Sequence, residues 1–153
     1  MYQEPVILAS ASPRRRELMA WLGVPFRVEP SQIQEGPLQP PFEQAVRQLA
    51  LHKTREVHSR VGGLVVGADT VVVVDQAVLG KPEDEEQARE YLQRLSGREH
   101  LVLTGLAVLS DYREHTETVT TQVRFLRLSE EEIARYVASG EPMDKAGAYG
   151  IQD

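Results

Sequence analysis

One stretch, GGLVVGADTVVVVDQAVLGKP, constrains this chain more than any other. It reads as a strand apolar on both faces, the pattern of a strand in the middle of a sheet. Asp69 stands at its centre, and alternation groups Val65, Gly67, Asp69, Val71 and Val73 on one face. A buried, unpaired carboxylate costs several kcal/mol. Asp69 therefore needs a cation, a metal ion or a ring of donors, backbone amides being the purely structural answer. The DQA that follows reads as a turn, and AVLGKP carries the chain back to Lys81.

The N-terminus supplies a second constraint. PVILAS is a short buried strand, and Ser12 caps a helix whose first residue is Pro13. Leu18, Met19 and Leu22 give that helix an apolar stripe, and Gly23 ends it. Arg14, Arg15 and Arg16 thus fall in the first turn, where the helix dipole is already positive. Strand, tight turn and basic helix N-terminus together make an anion cradle. The bland alternative is three solvated arginines. The cluster stands out in a chain of formal net charge -6, a balance that argues against nucleic acid or a membrane surface as a general partner. No apolar run approaches the roughly 20 residues of a membrane helix.

Between these regions, FRVEP is a short strand and SQIQEGPLQPP a loop that carries Glu35. The helix PFEQAVRQLALHKTREV has Phe42, Ala45, Val46, Leu49, Ala50 and Val57 on its apolar stripe. Lys53 falls on the same stripe, so it either snorkels outward or points into a cleft. Asp84 starts a further helix with Gln87 at the capping-box position and Ala88, Tyr91, Leu92 and Leu95 facing inward. HLVLTGLAVLS and ETVTTQVRFLRL read as an antiparallel strand pair joined by DYREH. Ser129 and Glu132 form a capping box for a last short helix ended by Gly140. Strands and helices that alternate and then give way to a hairpin describe an α/β chain with a mixed sheet.

The chemistry-bearing residues are then Glu35 and Asp69 as carboxylates and Arg14, Arg15, Lys53 and Lys81 as cations. With no cysteine and no clustered histidine, two carboxylates suit a hard cation such as Mg²⁺ or Mn²⁺. Basic side chains around such a metal suit a polyphosphate. Neither GxxxxGK[ST] nor GxGxxG occurs, and neither Ser10 nor Ser12 has a motif-level His-Asp partner.

LASASPRRREL, GADTVVVVDQAVLGKP, LSG with TGLAVL, and YVASGEPMDKAGAYGIQ closely resemble the Maf family of nucleoside triphosphate pyrophosphatases, over essentially the whole chain. The resemblance implies an elongated, mixed, twisted sheet flanked by helices, related to the inosine triphosphate pyrophosphatase fold. It implies metal-dependent cleavage of a nucleoside triphosphate to a monophosphate and pyrophosphate by a cytoplasmic protein, often a homodimer. By matched motif, Asp69 is the catalytic acidic residue, binding the metal or acting as general base toward the attacking water, Glu35 a metal ligand, and Lys53 and Lys81 the phosphate-holding cleft lysines. Ser10, Arg14 and Arg15 match the phosphate-contacting opening motif, with Arg16 its solvated member. Thr70 and Gln152 match the subgroup acting on dTTP and UTP, including modified pyrimidine forms; a sister group with glutamine at position 70 prefers 7-methyl-GTP. An amide at Gln152 can both donate to and accept from a pyrimidine edge. The family pattern continues past Asp153, so residues 1–153 are expected to be a single Maf-like domain cut short at its C-terminus. The competing reading is a non-catalytic nucleotide-binding protein or septum-formation inhibitor.

Overall fold

In the computed structural model, which describes residues 4–151, α2 (Phe42–Val61) lies against the sheet at two glycines. A Cβ at Gly67 would meet Thr54 Oγ1, and one at Gly105 would meet the backbone carbonyl of Val46. Only glycine lets helix and strands approach this closely. The face of α2 that makes the approach is the apolar stripe: Val46, Ala50, Thr54 and Val57 are all buried. Thr54 satisfies its hydroxyl within the helix by donating to the Ala50 carbonyl at 2.7 Å.

The sheet has six strands: β1 (Val6–Leu8), β2 (Phe26–Val28), β3 (Val65–Val74), β4 (Ala77–Leu79), β5 (Glu99–Leu109) and β6 (Glu114–Arg124). Their order is β2-β1-β3-β5-β6, with β4 also on β3. β1 pairs in parallel with β2 and with β3, whereas β4 pairs antiparallel to β3. The sheet is therefore mixed, with the aspartate-bearing strand internal to it. The remaining helices are α1 (Pro13–Trp21), α3 (Glu85–Leu95) and α4 (Glu130–Ala138). No helix among the described residues is long and apolar enough to cross a membrane.

The chain resolves into two compact units. One runs to Asp69 and takes in Thr104–Val119; the other is Thr70–Leu103 with the chain from Thr120 onward. In the first, Ile7, Ala9, Val57 and Val65 form the core. Ile and Val side chains stabilise by about 1.5–3 kcal/mol each when fully buried. In the second, Val72, Val74, Leu79 and Leu95 form one cluster, and Ala88, Leu92, Ile133, Val137 and Ala148 another.

Several local expectations need adjusting. The inward face of β3 follows the predicted alternation only as far as Val71; beyond it Val72 and Val74 are buried and Val73 is half-buried. The cause is a change of packing partner, since Val72 and Val74 turn to Leu79 and Leu95 of the second unit. The stripe predicted for α1 is mostly exposed: Met19 is buried, but Leu18 and Leu22 are 47% and 69% exposed. β6 begins at Glu114, inside the segment read as a connection. Ser110 explains this, because its N–H donates to the Arg113 carbonyl and its Oγ accepts from the amides of Tyr112 and Arg113. That closes the turn in two residues and lets pairing start at once. The turn after β3 has both central residues, Asp75 and Gln76, at positive φ, the signature of a tight hairpin.

Candidate active site

The first unit brings five of the candidate residues together from four segments. β3 contributes Asp69, which is 8% exposed. α2 contributes Lys53, whose Nζ lies 3.0 Å from Asp69 Oδ1 and also pairs with Glu35 Oε1. Helix geometry accounts for this: Lys53 lies beside Thr54 and three residues after Ala50, on the edge of the stripe pressed against β3. Of the two options for a lysine there, the structure shows the inward one. Its side chain is 13% exposed and ends on two carboxylates.

The strand-to-helix turn supplies Ser10 and Arg15. Ser12 caps α1 by accepting from the Arg15 amide at 3.3 Å, with Pro13 at the first position. Ser10 Oγ accepts from the Ser12 amide at 3.1 Å and from Arg15 Nη1 at 3.4 Å. The side chain of Arg15 is thereby folded back over the start of its own helix. There it interacts electrostatically with both Asp69 and Glu35. Arg14 is half-buried on the same turn, and Arg16 is exposed.

Electrostatics in this cluster are strained in a definite direction. Burial pushes the Asp69 carboxyl above its ordinary range. Lys53 pulls it back down, by its charge and by its hydrogen bond; the Glu35 charge adds to the push, and Arg15 offsets part of it. Burial likewise lowers Arg15, against the pull of Asp69 and Glu35. Asp69 Oδ2 is buried without a hydrogen-bond partner. A buried lone carboxylate oxygen next to a cation is a proton acceptor or a metal ligand in waiting. Among the described residues no group of three or more His, Cys, Asp or Glu could hold a metal ion.

Glu35 reaches the cluster from the exposed loop after β2. Its neighbours Gln34 and Gly36 point elsewhere, lining a separate cavity of about 440 Å³ with Gln44, Gln48 and His52. The loop itself is tied down by two residues that the sequence reading did not single out. Glu56 Oε1 accepts from the Gln32 amide at 2.6 Å and from Ser31 Oγ at 3.4 Å. Arg60 donates to Glu56 Oε2 at 2.5 Å and to the Pro30 carbonyl at 3.1 Å. The signal was present as an i, i+4 acid–base pair, but such pairs are ordinary on solvated helix faces.

Thr70 and Lys81 belong to the second unit. Thr70 is half-buried, directly after Asp69 in β3, and Lys81 is exposed just after β4. Gln152 lies outside the described residues. The loop that leads to it is well anchored. Gly147 donates its N–H to the Gly80 carbonyl at 2.9 Å, next to Lys81. A Cβ on Gly147 would strike Val72 at 2.6 Å. Tyr149 Oη sits 2.6 Å from Nε2 of buried His100, and both rings meet Phe125 edge-on. Burial pushes Tyr149 up to about 12 and lowers His100, so this is a neutral pair.

A family model described as Maf-like protein matches residues 5–153. A dTTP/UTP pyrophosphatase of Thermococcus gammatolerans is 52% identical over 96% of this chain and 79% of that protein. One from Symbiobacterium thermophilum is 51% identical over 97% of this chain and 78% of that protein. Among solved structures, a HAM1 protein from Coxiella burnetii aligns with a TM-score of 0.62 at 16% identity, covering 98% of this chain and 89% of that one. A nucleoside-triphosphatase / dITP/XTP pyrophosphatase from Mycobacterium abscessus aligns with a TM-score of 0.54 at 13% identity, covering 97% and 90%. These likenesses in structure speak for the fold: a mixed sheet with helices, of the HAM1 kind.

Proposed function

The chain belongs to the Maf family, and from that membership we propose that it is a pyrophosphatase hydrolysing dTTP and UTP to the monophosphate and pyrophosphate. The observation that carries this reading is Lys53 set between Glu35 and buried Asp69, with Arg15 close enough to act on both carboxylates. Two acids and two bases in one partly buried cluster, in relatives' company that is half identical over nearly the whole chain, suit a polyanhydride substrate.

The residues divide the work as follows. Ser10, Arg14 and Arg15, at the positive end of α1, hold phosphate oxygens. Lys53 offsets the charge that develops as the bridging P–O bond breaks, and the family's matched motif gives Lys81 the same role. Asp69, its affinity for a proton raised by burial, takes the proton from the attacking water at Oδ2, the oxygen that has no other partner. The water oxygen bonds to phosphorus of the α–β anhydride, and pyrophosphate leaves. Thr70 and Gln152 read the pyrimidine.

The donor set fits a divalent metal. Glu35 and Asp69 offer hard oxygens, Asp69 Oδ2 serving either the ion or the water proton, and Mg²⁺ in nucleotide sites takes one or two carboxylates plus phosphates and water. Bound there, Mg²⁺ or Mn²⁺ would supply charge neutralisation and polarisation of a phosphoryl oxygen. A single Maf-like domain over 1–153 belongs to the same proposal, supported by a family model that runs unbroken from residue 5 to 153. The cytoplasmic location and the homodimer are carried by the family resemblance alone, and light scattering checks the dimer.

The test is pyrophosphate release from dTTP, UTP, GTP and 7-methyl-GTP with Mg²⁺ or Mn²⁺. Turnover of dTTP and UTP that disappears in Asp69→Asn supports the reading. A folded chain that releases pyrophosphate from none of them defeats it.

A further inference from the structure

Three side chains of α2 lie on one stripe: Lys53, Glu56 and Arg60, at spacings of three and four residues. The loop after β2 runs along that stripe in the opposite direction, in register. Arg60 meets the Pro30 carbonyl at 3.1 Å and Glu29 at 3.8 Å. Glu56 takes the Gln32 amide at 2.6 Å and the Ser31 hydroxyl at 3.4 Å. Lys53 meets Glu35 and passes on to Asp69. Ser31 tightens the path by accepting from the Ile33 amide at 3.2 Å.

We propose that Glu56 and Arg60 are positioning residues for Glu35: they fix the register of the loop on α2 so that the exposed Glu35 arrives at Lys53 and Asp69 rather than in solvent. The inference rests on the catalytic cluster described above and names what holds its least anchored member. Glu35 is 49% exposed at its side chain and sits on a segment with no regular structure, so its own pair with Lys53 must compete with water. The Gln32 amide, three residues before Glu35 and held by the Glu56 carboxylate, limits the freedom that this competition exploits. Arg60 in turn orients the Glu56 carboxylate by donating to both oxygens, to Oε2 at 2.5 Å and to Oε1 at 3.2 Å, while Oε1 also accepts from the loop.

The test uses Glu56→Met, Arg60→Met and the exchange E56R/R60E in the full chain. The exchange keeps an i, i+4 acid–base pair on the helix but removes the acceptor for Gln32. Expected is a fall of about 10- to 100-fold in kcat/KM for dTTP in all three, since misplacement by an ångström costs on this scale. The Mn²⁺ concentration for half-activation should rise at least several-fold, and the Gln32 amide should exchange faster with solvent, while unfolding midpoints stay close to the parent. A purely structural role for the pair would be restored by the exchange and would not move metal half-activation. Restoration by E56R/R60E, or unchanged Gln32 exchange in Glu56→Met, overturns the inference. A parent protein that hydrolyses no triphosphate defeats the proposed function alone. In that case Gln32 exchange and Mn²⁺-induced broadening at Glu35 still decide the positioning role: unchanged exchange or equal broadening in Glu56→Met refutes it.

Discussion

Asp69 carries its charge against the preference of its surroundings, and this fixes what its removal should do. Its folded carboxyl ionises at a higher pH than an unfolded one, because burial outweighs Lys53. Between those two pH values the folded state holds a proton that the unfolded state has lost. Stability from this group therefore falls as pH rises through that window. Asp69→Asn should give a denaturation midpoint at pH 7 no lower than the parent, with pyrophosphate release reduced by about 10²- to 10⁴-fold, the range for loss of a general base. The stability gap should close as pH is lowered and the parent's carboxyl takes up its proton. A variant that is both inactive and clearly destabilised at pH 7 would mean the Lys53 pair dominates instead.

His100 has the opposite linkage. Buried and held neutral against Tyr149, it resists protonation, whereas the unfolded chain binds a proton near 6.5. Its contribution to stability is complete above that value and is lost as pH falls below it. His100→Phe keeps a ring against Phe125 and Tyr149 and removes the titration. Urea unfolding between pH 7.5 and 5 should show a shallower acid decline in the variant, whatever constant offset the unpaired Tyr149 hydroxyl imposes. Equal slopes for variant and parent would assign the decline to other groups.

At the scale of elements, the placement of Lys53 depends on how closely α2 lies on the sheet, and two glycines set that distance. The two contacts differ in kind. At Gly105 an added Cβ meets backbone atoms of Val46 and Arg47, which cannot move without shifting the helix. At Gly67 it meets chiefly the Thr54 hydroxyl. Gly105→Ala should therefore cost about 1–3 kcal/mol or more and lower kcat with it, as overpacking does. Gly67→Ala should cost less in a Thr54→Ala background than in the parent, while the cost of Gly105→Ala should be unaltered there. A double-mutant cycle by chemical denaturation measures both.

The same comparison shows what sequence patterns can and cannot convey. The caps are local chemistry, so Ser12 with Pro13 and the Ser129–Glu132 box are legible residue by residue. Asp69 and Lys53 stand out because each breaks an apolar period. The sheet order, the switch of the buried face of β3 at Val71 and Val72, and the exposure of Leu18 and Leu22 depend on which element each face meets; no window of sequence contains that. Glu56 and Arg60 look like any solvated pair until the loop from Pro30 to Gln32 is seen lying on them.

At the scale of the whole molecule, an acidic chain offers a cationic pocket to an anionic substrate, and the two fields have different ranges. The net charge of -6 repels a nucleotide at distances where charges sum together. Arg14, Arg15 and Lys53 attract it only nearby. Salt separates these contributions, because the screening length is about 30 Å at 0.01 M and about 8 Å at 0.15 M. Raising ionic strength from the lower value should first relieve the long-range repulsion and increase kcat/KM for dTTP. Further salt should then screen the local cluster and decrease it, giving a maximum at intermediate ionic strength with metal concentration held fixed. Arg16→Glu, at an exposed position outside the Ser10–Arg15 network, should move that maximum to higher salt by adding to the repulsion. A monotonic decline from the lowest salt would show instead that the arginine turn governs the approach at every distance, and that the net charge of the chain is too widely spread for the substrate to sense.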